Sequence, residues 1–405
     1  MKKTKIITSL LLLLSVLLCS VSCMRVRAAE LSAGFTGGYN GENGAANAAD
    51  IYNSFAFKVF ADAAKSNKNT LISPLSALAC TALVTNGAGG ETLAQIERFL
   101  GCTSEELNKT VYAALAGLVS GKDHKIVSAS SLWIAEGFEV KNGFLQDNAD
   151  YIGAQVYSAK FDSQGIKDIN TWAKQKTDGM IGSAIDDLPA DTVMVLMNSL
   201  LFDMKWEEKY ESKDVKDGTF YNEDGAQKTV SFMSGKENIY FEAEGVTGFA
   251  KYYKNSDYIF IGLLPDEAAG VDGLISSLTA ERWKDIWDSR QTASVIAAMP
   301  EFDFDDETDL SEVFKAEGVT DLFDRSKADL SKVSDEPLYC SVFKQKTRIE
   351  HSKNGTKAAA ITFAGFGKMA AAAEEHYVKL DRPFVFLISD AKTGAPVFIG
   401  SVNNL

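Results

Sequence analysis

Three histidines, His124, His351 and His376, are the only imidazoles in a chain of 405 residues. None stands in a His-x-x-x-His or Cys/His pattern, so no zinc site is indicated. A Gly-x-Ser-x-Gly nucleophile turn is missing. Gly87-Ala88-Gly89-Gly90 is rich in glycine, but no Gly-Lys-Ser/Thr follows, which argues against a phosphate loop. The acidic run Asp303, Asp305, Asp306, Glu307 and Asp309 could hold calcium. A solvated acidic turn is the simpler reading at a net charge of −14. These residues make no catalytic set, and they call for no metal and no cofactor. The chain does not read as an enzyme.

What remains is a segment able to add itself to a sheet. Residues 355–375 contain no proline and carry no charge from Ala358 to Gly367. Such a segment, if exposed, is an aggregation hazard unless its strand-forming tendency is used. Thr356, Ala358, Ala360, Thr362, Ala364 and Phe366 form one alternating set, small or apolar throughout. Alternate side chains share a face of a strand, so this set could lie on a core, with Ala359 on the other face. Gly355 gives the backbone freedom to turn inward. Gly365, Gly367 and the β-branched Ile361 and Thr362 disfavour a helix here.

The elements that must position this segment are legible in part. Helical spacing predicts helices over 51–66, 73–86, 92–100 and 110–118, with Pro74 in a first turn. Residues 125–135 and the continuously apolar 193–202 predict strands, the second buried on both faces. Further strands are predicted at 258–264 and 294–299, and a hairpin at 384–389 and 397–402. Helices gather early and strands late, an α+β arrangement rather than alternating βαβ units.

A hydrophobic content of 46% supplies one large core, and no linker divides residues 50–400. Net acidity argues against nucleic-acid or anionic-membrane binding. Lys2, Lys3 and Lys5 precede an apolar run over 6–18, too short to span a bilayer and suited to an export signal. Two cleavage readings compete. Ser20-Val21-Ser22-Cys23 resembles a bacterial lipobox, with Cys23 lipidated, although Ser20 departs from the usual leucine. Cleavage after Ala28 would follow the small-x-small pattern Val26-Arg27-Ala28. The first is preferred and divides the chain into a signal at 1–22, a flexible Gly/Ala/Asn-rich tether at 23–48 and one domain at 49–405. Cys80, Cys102 and Cys340 show no CxxC spacing, and Cys80 reads as a small buried hydrophobe.

Motifs in order along residues 50–405 resemble the serpin family. They begin with Asn69-x-x-x-Ser73-Pro74-x-Ser76, Gly87-x-Gly89-Gly90-Glu91-Thr92 and Asn170-x-Trp172. Asn198-x-x-x-Phe202-x-x-x-Trp206, Leu263-Leu264-Pro265 and Met299-Pro300-x-Phe302 follow. Gly318-Val-Thr-Asp-Leu-Phe323, Asp381-Arg382-Pro383-Phe384 and Phe398-Ile-Gly400-x-Val402 complete the series. The resemblance implies about nine helices on three β-sheets with an exposed reactive-centre loop. It implies an irreversible inhibitor cut by a serine protease, whose freed arm then inserts as a strand and carries the linked enzyme along. The hinge would begin at Gly355 and the cleaved bond would be Met369–Ala370. Residues 356–369 would span about 46 Å at roughly 3.3 Å per residue.

An unbranched Met369 followed by alanines suits an elastase-like protease, or one like subtilisin. Phe366 offers a chymotrypsin-like alternative, Lys368 a trypsin-like one, and the bond could instead lie among 370–373. The resemblance places Ser73, Ser76, Asn198, Trp206 and Gln345 where the sheet opens. Lys353, Asn354, Lys357 and Ile361 depart from the family pattern, and Gln345 stands where most members have histidine. These departures bear on the speed of trapping rather than on the fold. The expected product is an exported monomer, extracellular or held at the cell surface through Cys23, with serine proteases as partners. A non-inhibitory serpin-fold binding or structural protein is the alternative.

Overall fold

The computed structural model describes residues 25–39, 41, 45–118, 120, 124–254, 257–356 and 375–405. Helix α1 (Ala48–Ala63) buries Ile51, Phe55, Val59 and Phe60 at the predicted spacing. Helix α2 (Pro74–Thr85) starts from Ser73, whose side chain accepts the Ser76 amide, and Pro74 takes its first position. Every residue of α2 is buried, so it runs through the core rather than along its surface. Helix α3 (Gly90–Leu100) precedes α4 (Ser104–Ala116). The latter begins six residues before the predicted start, because Thr103 and Glu106 form a reciprocal capping box. Helices α5 (Asn142–Tyr151), α6 (Ser163–Lys176), α7 (Gly270–Ser277), α8 (Ala280–Asp288) and α9 (Leu310–Ala316) bring the α-helices among the described residues to nine.

Strands are numbered in chain order. One sheet has seven, in the order β1 (Ala29–Glu30), β4 (Gln155–Ala159), β3 (His124–Ala135), β5 (Met194–Lys205), β13 (Gly355–Thr356), β12 (Val342–Ser352) and β11 (Phe302–Asp309). Strand β5 is covered on both faces, as its apolar run requires. Val195 and Met197 pack with Trp172 of α6, while Met194 and Leu196 join the core that contains α2.

The second sheet runs β14 (Glu375–Lys379), β10 (Gln291–Pro300), β7 (Gln227–Ala243), β8 (Val246–Tyr252), β9 (Tyr258–Pro265), β15 (Phe384–Asp390), β16 (Pro396–Val402) and β2 (Thr70–Ile72). Strand β6 (Val215–Tyr221) pairs with β7 off this path. The resemblance implies three sheets, and hydrogen bonding joins two of them. The reason is β7, 17 residues long, which pairs with β6 and β10 and then with β8 from Ile239 onward.

Two expectations from composition do not survive. The acidic run is not a turn: it forms most of edge strand β11, paired with β12. Asp306 is buried and accepts Lys68 Nζ and the Leu71 amide, while Asp303 and Asp305 engage Arg348. Residues 25–39, expected to be part of a tether, are tied to the domain. The backbone of β1 extends the seven-stranded sheet at β4, with Ala29 opposite Ser158 and Glu30 opposite Tyr157. The Arg27 and Ala28 amides donate to the two carboxylate oxygens of Asp168 on α6, at 3.1 and 2.9 Å. Further along, the Gly38 amide donates to Asp150, and the Tyr39 ring meets Tyr112 and Tyr151. Low apolar periodicity misleads because this arm is held by backbone pairing and by scattered apolar contacts of Val26, Ala28, Leu31 and Phe35 rather than by one regular buried face.

Candidate functional site

Two strands decide what the seven-stranded sheet can accept. β5 and β12 are parallel neighbours over only four rungs, from Val195 opposite Val342 to Asn198 opposite Gln345. At the other end β13 wedges between them, antiparallel to both. Gly355 lies opposite Lys205 and Thr356 opposite Met204, while on the far side Thr356 faces His351. Gly355 and Thr356, where the hinge is expected to begin, therefore lie within the sheet.

Gly355 is required by its surroundings. Its φ is +135°, and a Cβ would stand 2.6 Å from the Lys205 Cα and closer still to the Met204 carbonyl oxygen. Thr356 is buried at 2% exposure, its hydroxyl 2.7 Å from the Tyr253 hydroxyl. Tyr253 stacks on Trp206 with ring centroids 4.5 Å apart. Trp206 in turn holds the turn that leads into the hinge: its indole N–H donates to the Ser352 carbonyl and its backbone N–H to that of Asn354. The Lys353 amide donates to Glu301. Thus Thr356, Tyr253, Trp206 and the 352–354 turn form one connected cluster.

Charges lie directly behind it. Lys251 Nζ sits 2.8 Å from Glu237, both buried, and also lies over the Tyr210 ring at 4.5 Å. Burial pushes the Glu237 carboxyl upward, and Lys251 and the Tyr210 hydroxyl oppose that shift. His351 is packed against Phe302, Phe260 and Trp206, with Nε2 3.3 Å from Met299 Sδ and no partner for Nδ1 among the described residues. Burial lowers its pKa from 6.5 to about 3. A folded value below the unfolded one means that the neutral ring's contribution is complete above pH ~6.5 and is lost as pH falls towards 3. Uncut protein should therefore lose stability across that window, by up to about 1.4 kcal/mol per pH unit from this group. Melting curves at pH 7 and pH 4 check this, and His351→Phe should shrink the difference between them.

The expected sheet-opening residues fall in two places. Trp206 is at the hinge end. Ser73, Ser76, Asn198 and Gln345 lie further down the sheet, over the start of α2. Gln345 grips Ser73 twice, its Oε1 accepting from the Ser73 amide and its Nε2 donating to the Ser73 carbonyl, both at 2.9 Å. The amide side chain thus provides the link to Ser73. Asn198 donates to the Ser130 hydroxyl at 2.8 Å, and among the described residues its Oδ1, like Ser76 Oγ and Ser199 Oγ, has no partner. A seam with such orphan groups costs little more to part, since an unmet buried polar atom already forfeits roughly 1–3 kcal/mol.

Ala358, Ala359, Ala360, Thr362, Phe366, Lys368, Met369 and Ala370 lie outside the described residues, as does Cys23. Sequence reasoning misses Tyr253, Tyr210, His351 and the Lys251–Glu237 pair. Their only signal is indirect: a tryptophan at a strand end needs partners, and β8 and β12 supply or flank them. Cys80, Cys102 and Cys340 are free thiols in the interior.

A model of the serpin (serine protease inhibitor) family matches residues 50–405. Serpin B10 of Sorex araneus is 31% identical over 285 residues, 67% of this chain and 71% of that protein. Glia-derived nexin of Rattus norvegicus is 28% identical over 355 residues, covering 83% and 88%. The structure of a thermophilic serpin, tengpin, in its native state matches with a TM-score of 0.88 and 36% identity, covering 94% of this chain and 100% of that one. Tengpin in its latent state matches with a TM-score of 0.78 and 37% identity, over 88% and 98%.

Proposed function

The chain belongs to the serpin family of serine protease inhibitors, which are not catalysts, and on that premise we propose that it is an irreversible suicide-substrate inhibitor of elastase-like proteases. One observation carries the reading. Gly355 and Thr356, read as the hinge, pair between β5 and β12 in a register that a longer strand could continue. Each further residue of the arm then meets one residue further back on β5. Thr362 would fall between Asn198 and Gln345, on the face where Asn198 Oδ1 has no partner. Phe366 would reach Met194, the start of β5. Four rungs between β5 and β12 must part, at roughly 1 kcal/mol each. Strand addition offers more than that in return, and serpin loop insertion is a recognised instance of it. The better match to native than to latent tengpin, together with the direct pairing of β5 and β12, supports a sheet still closed at those four rungs.

Met369–Ala370 is the proposed scissile bond, with subtilisin-like proteases as the second class. The protein acts as an exported monomer, held at the cell surface through lipid on Cys23. Mixing it with an elastase should give a band at the summed mass on a denaturing gel. Met369→Arg should move that band from elastase to a trypsin-like enzyme, with trapping rates changed by at least tenfold in opposite directions. Clean cleavage with enzyme activity intact would identify a non-inhibitory serpin.

A further inference from the structure

We propose that residues 25–28 belong to the mature protein and that its lipid anchor holds the Met194 end of the seven-stranded sheet against a membrane surface, with the hinge end turned away. The orientation rests on the anchor reading at Cys23; the retention of 25–28 does not.

Retention follows from Asp168. This carboxyl group is 4% exposed, and a buried polar group is rarely tolerated there without hydrogen-bond partners. Its donors are the Arg27 and Ala28 amides and the Gln164 side chain. Val26 and Ala28 also pack against the cluster that contains Trp172 and Trp133. Export cleavage after Ala28 would remove both amides together with the Val26 and Ala28 side chains, and leave Asp168 with Gln164 alone of these donors. A cut at Cys23 keeps all of these contacts.

The orientation follows from lengths and register. Only Met24 separates Cys23 from Arg25, and two residues reach at most ~7 Å. The 25–39 arm is tied down and cannot act as a spacer. Ala29 pairs with Ser158, which pairs with Ile134, which pairs with Met194. The hinge lies opposite Met204, ten residues along β5 and about 33 Å away. Arg25 and Arg27 are exposed at the anchored end and suit anionic lipid headgroups. Without Lys2, Lys3 and Lys5 of the signal the mature chain is more acidic still than the −14 of the full chain, which keeps the remaining surface from lying on the same membrane.

The test uses the full chain made with its own signal in a bacterium that processes lipoproteins. Intact mass fixes the mature terminus. Fluorophores on Lys160→Cys, near the anchored end, and on Lys209→Cys, near the hinge, report depth in vesicles of anionic lipid carrying a spin-labelled quencher. The expected result is an acylated chain starting at Cys23, with quenching at position 160 several-fold above that at 209. A mature chain starting at Ala29 would overturn retention. An unacylated chain that keeps 25–28 would remove the anchor and the orientation with it. An acylated chain quenched equally at both positions, or more at 209, would overturn the orientation alone.

Discussion

Thr356→Arg is expected to turn an inhibitor into a substrate. In the uncut protein Thr356 sits at 2% exposure, 2.7 Å from the Tyr253 hydroxyl. Among the groups placed around it, Tyr253, Trp206 and His351 are uncharged or held neutral by burial. An arginine there would bring a charge beneath the sheet with no counter-charge on Tyr253, Trp206 or His351, and the carboxyl behind them, Glu237, already pairs with Lys251. Burying such a charge costs several kcal/mol, and each 1.4 kcal/mol shifts a partition about tenfold. Insertion would lose its race with deacylation. The moles of protein consumed per mole of elastase silenced should rise at least tenfold, and the covalent band should give way to cleaved protein. Thr356→Ser, which keeps the hydroxyl for Tyr253, should inhibit almost as the natural chain does. If the arginine variant titrates elastase at unchanged stoichiometry, the arm does not enter between β5 and β12.

Cutting the chain near Met369 should raise its melting temperature. The four direct rungs between β5 and β12 leave most of both strands available to a new neighbour. A full-length insert would add on the order of ten ladder hydrogen bonds at roughly 1 kcal/mol each. It would also bury the inward set Ala358, Ala360, Thr362, Ala364 and Phe366. Unfolding entropy is about 2.1 cal/mol/K per residue, or ~0.8 kcal/mol/K for a domain of this size. A gain on the order of 10 kcal/mol thus moves the midpoint up by more than ~10 °C. Calorimetry of intact and nicked protein measures it, and an unchanged midpoint would remove the drive for trapping.

Parts of this design are legible in the residues themselves. The helix at 73–86 is announced by Ser73-Pro74, since a capping hydroxyl and a residue lacking an N–H both belong at a helix start. The apolar run of β5 reads as a strand covered on both faces. Strand β12 is harder. It alternates without fault, but its inward face carries Gln345, Thr347 and His351 among the apolar residues, so hydrophobic periodicity alone passes over it. Strand β11 is hidden by its charges, which face solvent or pair with Lys68 and Arg348. For the site, Gly355 and Thr356 can be named from the small-residue alternation. Tyr253 and the Lys251–Glu237 pair cannot, because contacts between β7, β8 and the end of β5 are made by distant parts of the chain.

The direction in which β13 enters the sheet has a consequence for the captured enzyme. β13 runs antiparallel to β5, so an arm continuing it would head from the Lys205 end towards Met194, the same end at which Ala29 closes the sheet edge. An anchored molecule would thus meet its target at the pole furthest from the cell and finish with it at the nearest. The spent complex would stay pinned between the inhibitor and the bilayer, out of reach of large substrates and of diffusion into the medium.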